Sequence, residues 1–155
     1  MKPYADTNFL TRLYLYIARS DEAIERVGAG QSEKSVVLPV IWLHRVELIN
    51  TFQFYVFLSR QGRVPRITPE TAQAAHASFH SDLRESNFLV PASVLLSDVE
   101  AQFEELSLRY TSKHGFRTYD VLHVASALVL GCDEFWSFDT KASELASLEG
   151  LSVGT

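Results

Sequence analysis

Cysteine is nearly missing from this chain of 155 residues, where Cys132 stands alone. A single thiol closes no internal disulfide, and without a Cys/His cluster there is no tetrahedral zinc set, so neither device holds the fold. Cys132 reads as structural, and a reducing compartment suits it. Long uninterrupted apolar runs are lacking too. The most hydrophobic stretch, residues 41–58, carries His44, Arg45, Glu47, Asn50 and Gln53, which excludes a membrane span. The first residues lack the charged-then-apolar pattern of a secretory leader, because Asp6 arrives almost at once. Positive charge is in the minority, 14 Lys and Arg against 19 Asp and Glu, for a net charge of -5. That balance excludes a general polycation that coats nucleic acid, although basic residues can still cluster locally. Repeats, low-complexity tracts and interdomain linkers are absent. With 46% hydrophobic residues, the expectation is one soluble, cytoplasmic domain over residues 1–155 with a substantial core.

What is present is an alternation of short apolar segments and longer helical patterns. Residues 2–5 read as a strand, 7–18 and 21–27 as helices, the second ended by Gly28-Ala29-Gly30. The β-branched run at 35–39 is a buried strand candidate, followed by a long helix at 41–59. Arg60-Gln61-Gly62-Arg63-Val64-Pro65-Arg66 breaks that helix. Thr68 then caps another with Pro69 in its first turn, and Ala72, Ala75, Phe79 and Leu83 mark its buried face. Residues 88–90 read as a strand. Ser97-Asp98-Val99-Glu100 has the form of a capping box for a helix running to 110. Thr118 caps the next helix, which Gly131 ends; a strand at 134–138, a helix at 140–149 and a strand at 151–153 complete the chain. Strands alternating with helices, with no Asn-Gly hairpin between them, imply a mainly parallel sheet covered on both faces. In such a sheet ligands bind beyond the carboxyl ends of the strands.

Four acids stand where apolar segments end or turn. Asp6 and Asp139 close strand patterns, Asp120 lies in a first helical turn, and Glu47 sits mid-helix among Leu43, Val46, Leu48 and Ile49. Singly, each has a plain reading: Asp6 and Asp139 as helix caps, Asp120 as a first-turn acid, Glu47 as a solvated side chain. Together they require four separate explanations for carboxylates beside core, which is costly unless something compensates them. A divalent cation compensates several at once.

The segments Tyr4-Ala5-Asp6-Thr7-Asn8-Phe9-Leu10, Val46-Glu47-Leu48, Asp120-Val121-Leu122-His123-Val124-Ala125 and Phe135-Trp136-Ser137-Phe138-Asp139 resemble, in this order, the acidic motifs of PIN-domain ribonucleases. The likeness is greatest to the VapC-type toxins of toxin–antitoxin pairs. That resemblance implies an α/β fold, a PIN-like three-layer α/β/α sandwich around a mainly parallel sheet of about five strands. It implies Mg²⁺ or Mn²⁺ held by Asp6, Glu47, Asp120 and Asp139. Ser137 matches the family's hydroxyl position, and Asn8 its small polar position two after the first Asp. It also implies an RNA substrate, a cognate antitoxin and a homodimer. Hard cations of this kind favour carboxylate and water oxygens, and such an ion can promote in-line attack on a phosphodiester.

Other residues divide between roles. His123 and His44, one turn from Asp120 and Glu47, are either structural or near the site; Arg117 either contacts phosphate or pairs with an acid. Arg60, Arg63 and Arg66 are an RNA-backbone contact or a solvated loop. Trp42 and Trp136 lie in apolar runs and read as core. The helix at 41–59 is apolar on more than one face, so it is either buried or covers a subunit interface. Two rival functions remain: a catalytically inactive scaffold of the same fold that binds RNA or protein, and a phosphatase-like α/β domain. The second is disfavoured because Asp6-Thr7-Asn8 lacks the second Asp of a paired-Asp motif.

Overall fold

The computed structural model describes residues 1–33, 36–85 and 87–154, and for 29–33 the backbone alone. Two compact units divide the chain, Met1–Asp6 with Ala92–Thr155, and Thr7–Pro91.

The first unit contains strands β1 (Pro3–Ala5), β4 (Glu134–Trp136) and β5 (Ser152–Val153), hydrogen-bonded in the order β1-β4-β5 with every pairing parallel. Tyr4 lies opposite Phe135 and Ala5 opposite Trp136. The ladder runs one residue further, as the Asp6 N–H donates to the Trp136 carbonyl at 3.1 Å. Around this sheet stand helices α5 (Leu96–Leu106), α7 (Thr118–Val129) and α8 (Thr140–Leu148); α5 packs on α7, and α7 on α8. Tyr4 and Phe135, stacked at 5.6 Å, share a core with Val124, Leu106 and Leu145, all fully buried. Cys132 joins that core, and burial pushes its thiol up to about 11.

The second unit contains α1 (Thr7–Tyr14), α2 (Ser20–Glu33), β2 (Leu38–Val40), α3 (Trp42–Arg60), α4 (Pro69–Glu85) and β3 (Leu89–Pro91). Strands β2 and β3 pair in parallel. Leu83, Phe79, Ala75 and Ala72 are the buried face of α4, as their spacing predicts, and the Thr68 hydroxyl accepts from the Thr71 N–H at 3.1 Å as its cap. Tyr14 meets Phe79 edge-on at 5.7 Å, and its hydroxyl donates to Asp82 at 2.7 Å.

All five expected strands form, and all pair in parallel, but as a set of three and a set of two rather than one continuous ladder. Pro39 limits the second edge of β2 itself. The Leu38 N–H donates to Phe88 on the β3 side, so the alternation of a strand turns the Pro39 nitrogen to the other edge. Proline has no hydrogen to offer there.

Several boundaries differ from the sequence reading. Helix α2 runs through Gly28 and Gly30 to Glu33 instead of stopping at the glycines; a glycine ends a helix only when the backbone turns left-handed, as Gly131 does at φ 70°. Helix α1 ends at Tyr14, four residues early. The strand expected at 35–39 is found at Leu38–Val40, and Ser35 lies outside the described residues. Ser97 caps nothing: α5 already begins at Leu96, without a side-chain cap, and the first-turn acid Asp98 complements its dipole instead. Beyond Leu106 the chain continues as a wider π-helical turn, Ser107–Thr111, and a short helix α6, Ser112–His114. Trp136 is buried as expected, but Trp42 is 40% exposed, because it starts α3 on the face away from Leu43 and His44.

A Cβ at Gly28 would meet nothing within 4 Å. Gly28→Ala should therefore raise unfolding stability by about 0.5–1 kcal/mol, measured by urea denaturation; a loss would mean that α2 does not run through this position.

Candidate active site

Asp6 is the first residue beyond β1 and is only 4% exposed. Its neighbour across the sheet, the segment leaving β4, carries Ser137, whose hydroxyl donates to Asp6 Oδ2 at 2.5 Å. Ser137 Oγ in turn accepts the Asp139 backbone N–H at 2.9 Å. One hydroxyl thus ties Asp6 to the segment that presents Asp139.

Asp139 is the N-cap of α8: its Oδ1 accepts from the N–H groups of Lys141 and Ala142 at 2.9 and 3.0 Å. Asp120 also caps a helix. Arg117, not Thr118, is the N-cap of α7; Asp120 is its third helical residue and reaches back to accept the Arg117 N–H on Oδ2 at 3.2 Å. The plain single-residue readings therefore hold for these two acids. They use only part of each carboxylate, since Asp139 Oδ2 and Asp120 Oδ1 have no hydrogen-bond partner among the described residues. Burial raises the Asp120 carboxyl above its ordinary value; the Arg117 N–H opposes this and the negative charge of Asp139 adds to it. A carboxylate raised by burial and by a neighbouring negative charge is a group that a cation would relieve.

Glu47 and Asn8 belong to the second unit. Glu47 is half-buried in mid-α3 and accepts from the Thr7 hydroxyl on Oε1 at 3.3 Å. Asn8, in the first turn of α1, is half-buried, and its carbonyl accepts from Arg12 at 2.6 Å. This Thr7 contact is one the sequence reading missed, because Thr7 is not a marked position of its motif.

Both histidines next to the acidic motifs are buried and hydrogen-bonded, and His123 also acts electrostatically on Asp120. His123 is buried, with Nδ1 2.7 Å from the Tyr4 hydroxyl, and His44 is buried, with Nδ1 accepting the Ile41 N–H at 3.0 Å at the start of α3. Arg60, Arg63 and Arg66 are all exposed. Lys141 is held on the first unit's surface, donating to the His114 carbonyl and lying 3.6 Å from Glu144.

Among the described residues no three His, Cys, Asp or Glu side chains are grouped so as to hold a metal ion. The fit to Mg²⁺ or Mn²⁺ is consequently one of donor chemistry: hard carboxylate oxygens, two of them uncommitted, beside a hydroxyl. Such a set suits an ion that keeps several of its waters. No helix among the described residues is long and apolar enough to cross a membrane.

No protein-family model and no curated protein matches the chain by sequence. Its structure is similar to that of VapC20 of Mycobacterium tuberculosis, described as a toxin that cleaves the sarcin-ricin loop. The TM-score is 0.61 at 22% identity, and the match covers 97% of each chain. The likeness defines the fold: this is a PIN-like α/β protein.

The raised Asp120 carboxyl sets a sign. A group whose pKa rises on folding favours the folded state when protonated and loses that contribution as pH rises through its folded value. Asp120→Asn keeps an acceptor for the Arg117 N–H and removes the penalised charge. The metal-free variant should melt above the parent at neutral pH, with the gap closing below about pH 4, where both side chains are neutral. A variant that melts lower at pH 7 would contradict the desolvation account.

Proposed function

We propose that this chain is a metal-dependent endoribonuclease of the VapC type, the toxin of a toxin–antitoxin pair. The observation that carries the reading is the join of Asp6, Ser137 and Asp139 through one hydroxyl, with Asp120 electrostatically coupled to Asp139. The PIN-like fold and the ordered motifs support it. The cation would be held by Asp6, Asp120 and Asp139, with Glu47 as the fourth acid; Glu47's part rests on the motif resemblance. When bound, Mg²⁺ or Mn²⁺ supplies Lewis acidity at a phosphodiester oxygen and lowers the pKa of water.

The chain's own residues do the positioning. Ser137 donates to Asp6 and accepts from the Asp139 backbone, which holds Asp6 in one orientation and commits Asp6 Oδ2 as an acceptor. The Lys141 and Ala142 N–H groups at the start of α8 fix the Asp139 rotamer by donating to its Oδ1. The Arg117 N–H holds Asp120 in place through its Oδ2. Glu47 would orient the attacking water, and Asn8 the substrate phosphate. RNA is the substrate class, a cognate antitoxin the regulatory partner, and the cytoplasm the compartment. The neighbour's sarcin-ricin loop is one structured RNA to try.

A homodimer would cover the outer face of α3, where Val46, Ile49, Phe54 and Phe57 are each about half exposed, at 52%, 47%, 51% and 50%. Ile49→Glu with Phe57→Glu should convert a dimer to a monomer by light scattering; a monomeric parent would remove this reading.

The direct test uses the purified chain, free of any antitoxin, with structured RNA and Mg²⁺ or Mn²⁺. Cleavage should vanish in EDTA. Asp6→Asn and Asp120→Asn should lose about 100-fold or more, the scale expected when several kcal/mol of charge stabilisation goes. Ser137→Ala should lose about 10- to 100-fold, as for groups that orient ligands. Cleavage that persists unchanged in Asp6→Asn would refute the site. The rival reading is a catalytically inactive scaffold of the same fold. It would prevail if the chain bound RNA, showed no heat of Mn²⁺ binding and cut nothing.

A further inference from the structure

On α4, away from the acidic motifs in the sequence, His76-Ala77-Ser78-Phe79-His80 places two imidazoles one turn apart. Residues at i and i+4 share a helix face, and a pair of histidines at this spacing is the ligand arrangement a helix offers to zinc. We propose that His76 and His80 form a chelating site for a late first-row divalent cation such as Zn²⁺, Ni²⁺ or Cu²⁺.

The geometry is close to what such an ion requires. The two Nε2 atoms are 3.0 Å apart, and the rings stand nearly perpendicular, at 86° with centroids 4.4 Å apart. Two cis nitrogens at the usual zinc–imidazole distance of about 2.0–2.1 Å lie about 2.9–3.4 Å from one another, depending on the angle at the metal. Entry of an ion then asks the rings to turn so that both lone pairs converge, with little translation. It also asks that the proton now shared between the two Nε2 atoms be carried on Nδ1, a change of tautomer within a neutral imidazole.

The helix is held in the rotation that this needs. Phe79, between the two histidines, is fully buried and packs against Tyr14, while its ring meets His80 at 5.5 Å. Anchoring Phe79 in the core leaves both imidazoles at the boundary, half-buried and reachable. Burial, and then the neighbouring His80, depress the His76 pKa, so the neutral ligating form is favoured at physiological pH.

Imidazole nitrogen selects for Zn²⁺, Ni²⁺ or Cu²⁺, and carboxylate oxygen for Mg²⁺ or Mn²⁺. The site therefore takes a different class of ion from the one proposed at the acids. No third His, Cys, Asp or Glu is grouped with the pair among the described residues. Water completes the coordination, and the ion is left open to a further ligand.

The test titrates the untagged full chain, stripped with EDTA, with ZnCl₂ or NiCl₂ by calorimetry. One equivalent should bind, and His76→Ala or His80→Ala should each weaken it about a hundredfold, the gain lost when two linked ligands become one. Asp6→Asn should bind as the parent does, and millimolar Mg²⁺ should not compete, so failure here is separable from failure of the nuclease reading. The unmutated protein provides a second readout. Of its five histidines, His76 and His80 should be the two whose ring proton resonances shift or broaden on addition of Ni²⁺. No saturable binding, equal binding by the variants, or broadening centred on His114 would overturn the proposal.

Discussion

A carboxylate taken out of water at the end of a strand is tolerable only where donors meet it, and Asp6 is 4% exposed at the end of β1. The architecture of the first unit follows from meeting that need. Parallel pairing of β1 with β4 brings the chain leaving β4 alongside Asp6, and the Asp6 N–H extends the ladder to Trp136. One residue later Ser137 delivers its hydroxyl to the carboxylate, and two residues after that Asp139 begins α8. A slip of one residue in the β1–β4 register would turn Ser137 to the opposite face and leave Asp6 without this donor.

Helix starts do the complementary work. Asp139 and Asp120 each satisfy backbone N–H groups at the head of a helix, which stabilises the helix and the charge together. Each does so with one oxygen. The same residue therefore has an ordinary structural duty and an uncommitted oxygen. Burial is the main cost, with the charge of Asp139 adding to it, and both raise the Asp120 carboxyl.

The second unit shows how a strongly apolar helix is reconciled with solvent. Helix α3 buries Leu43, Leu48, Phe52 and Val56, while Val46, Ile49, Phe54 and Phe57 remain outside, with the last two rings stacked at 5.8 Å. The outer set is a patch of the kind that marks an interaction surface. Helix α4 has the opposite character. Its small and aromatic core positions leave polar side chains, the two imidazoles among them, at the boundary.

Alternating short apolar runs and helical periods were sufficient to read the α/β class, the five parallel strands, the buried face of α4 and the positions of Asp6 and Asp139 at strand ends, because each follows from local periodicity and from the chemistry of burial. Helix ends were less legible. Gly28 resembles a stop signal yet lies inside α2, and Ser97 resembles a cap yet lies inside α5, because a cap depends on the path of the neighbouring backbone and not on residue type alone. The ordered acidic motifs named the candidate ligands. Only the tertiary structure decided that one Ser137 hydroxyl joins Asp6 to the Asp139 backbone, that Asp120 reaches back to Arg117, that His44 and His123 are buried, and that His76 and His80 meet nitrogen to nitrogen. Those are contacts set by strand register and helix rotation. Both result from packing the whole core at once, a constraint that no segment of the chain carries by itself.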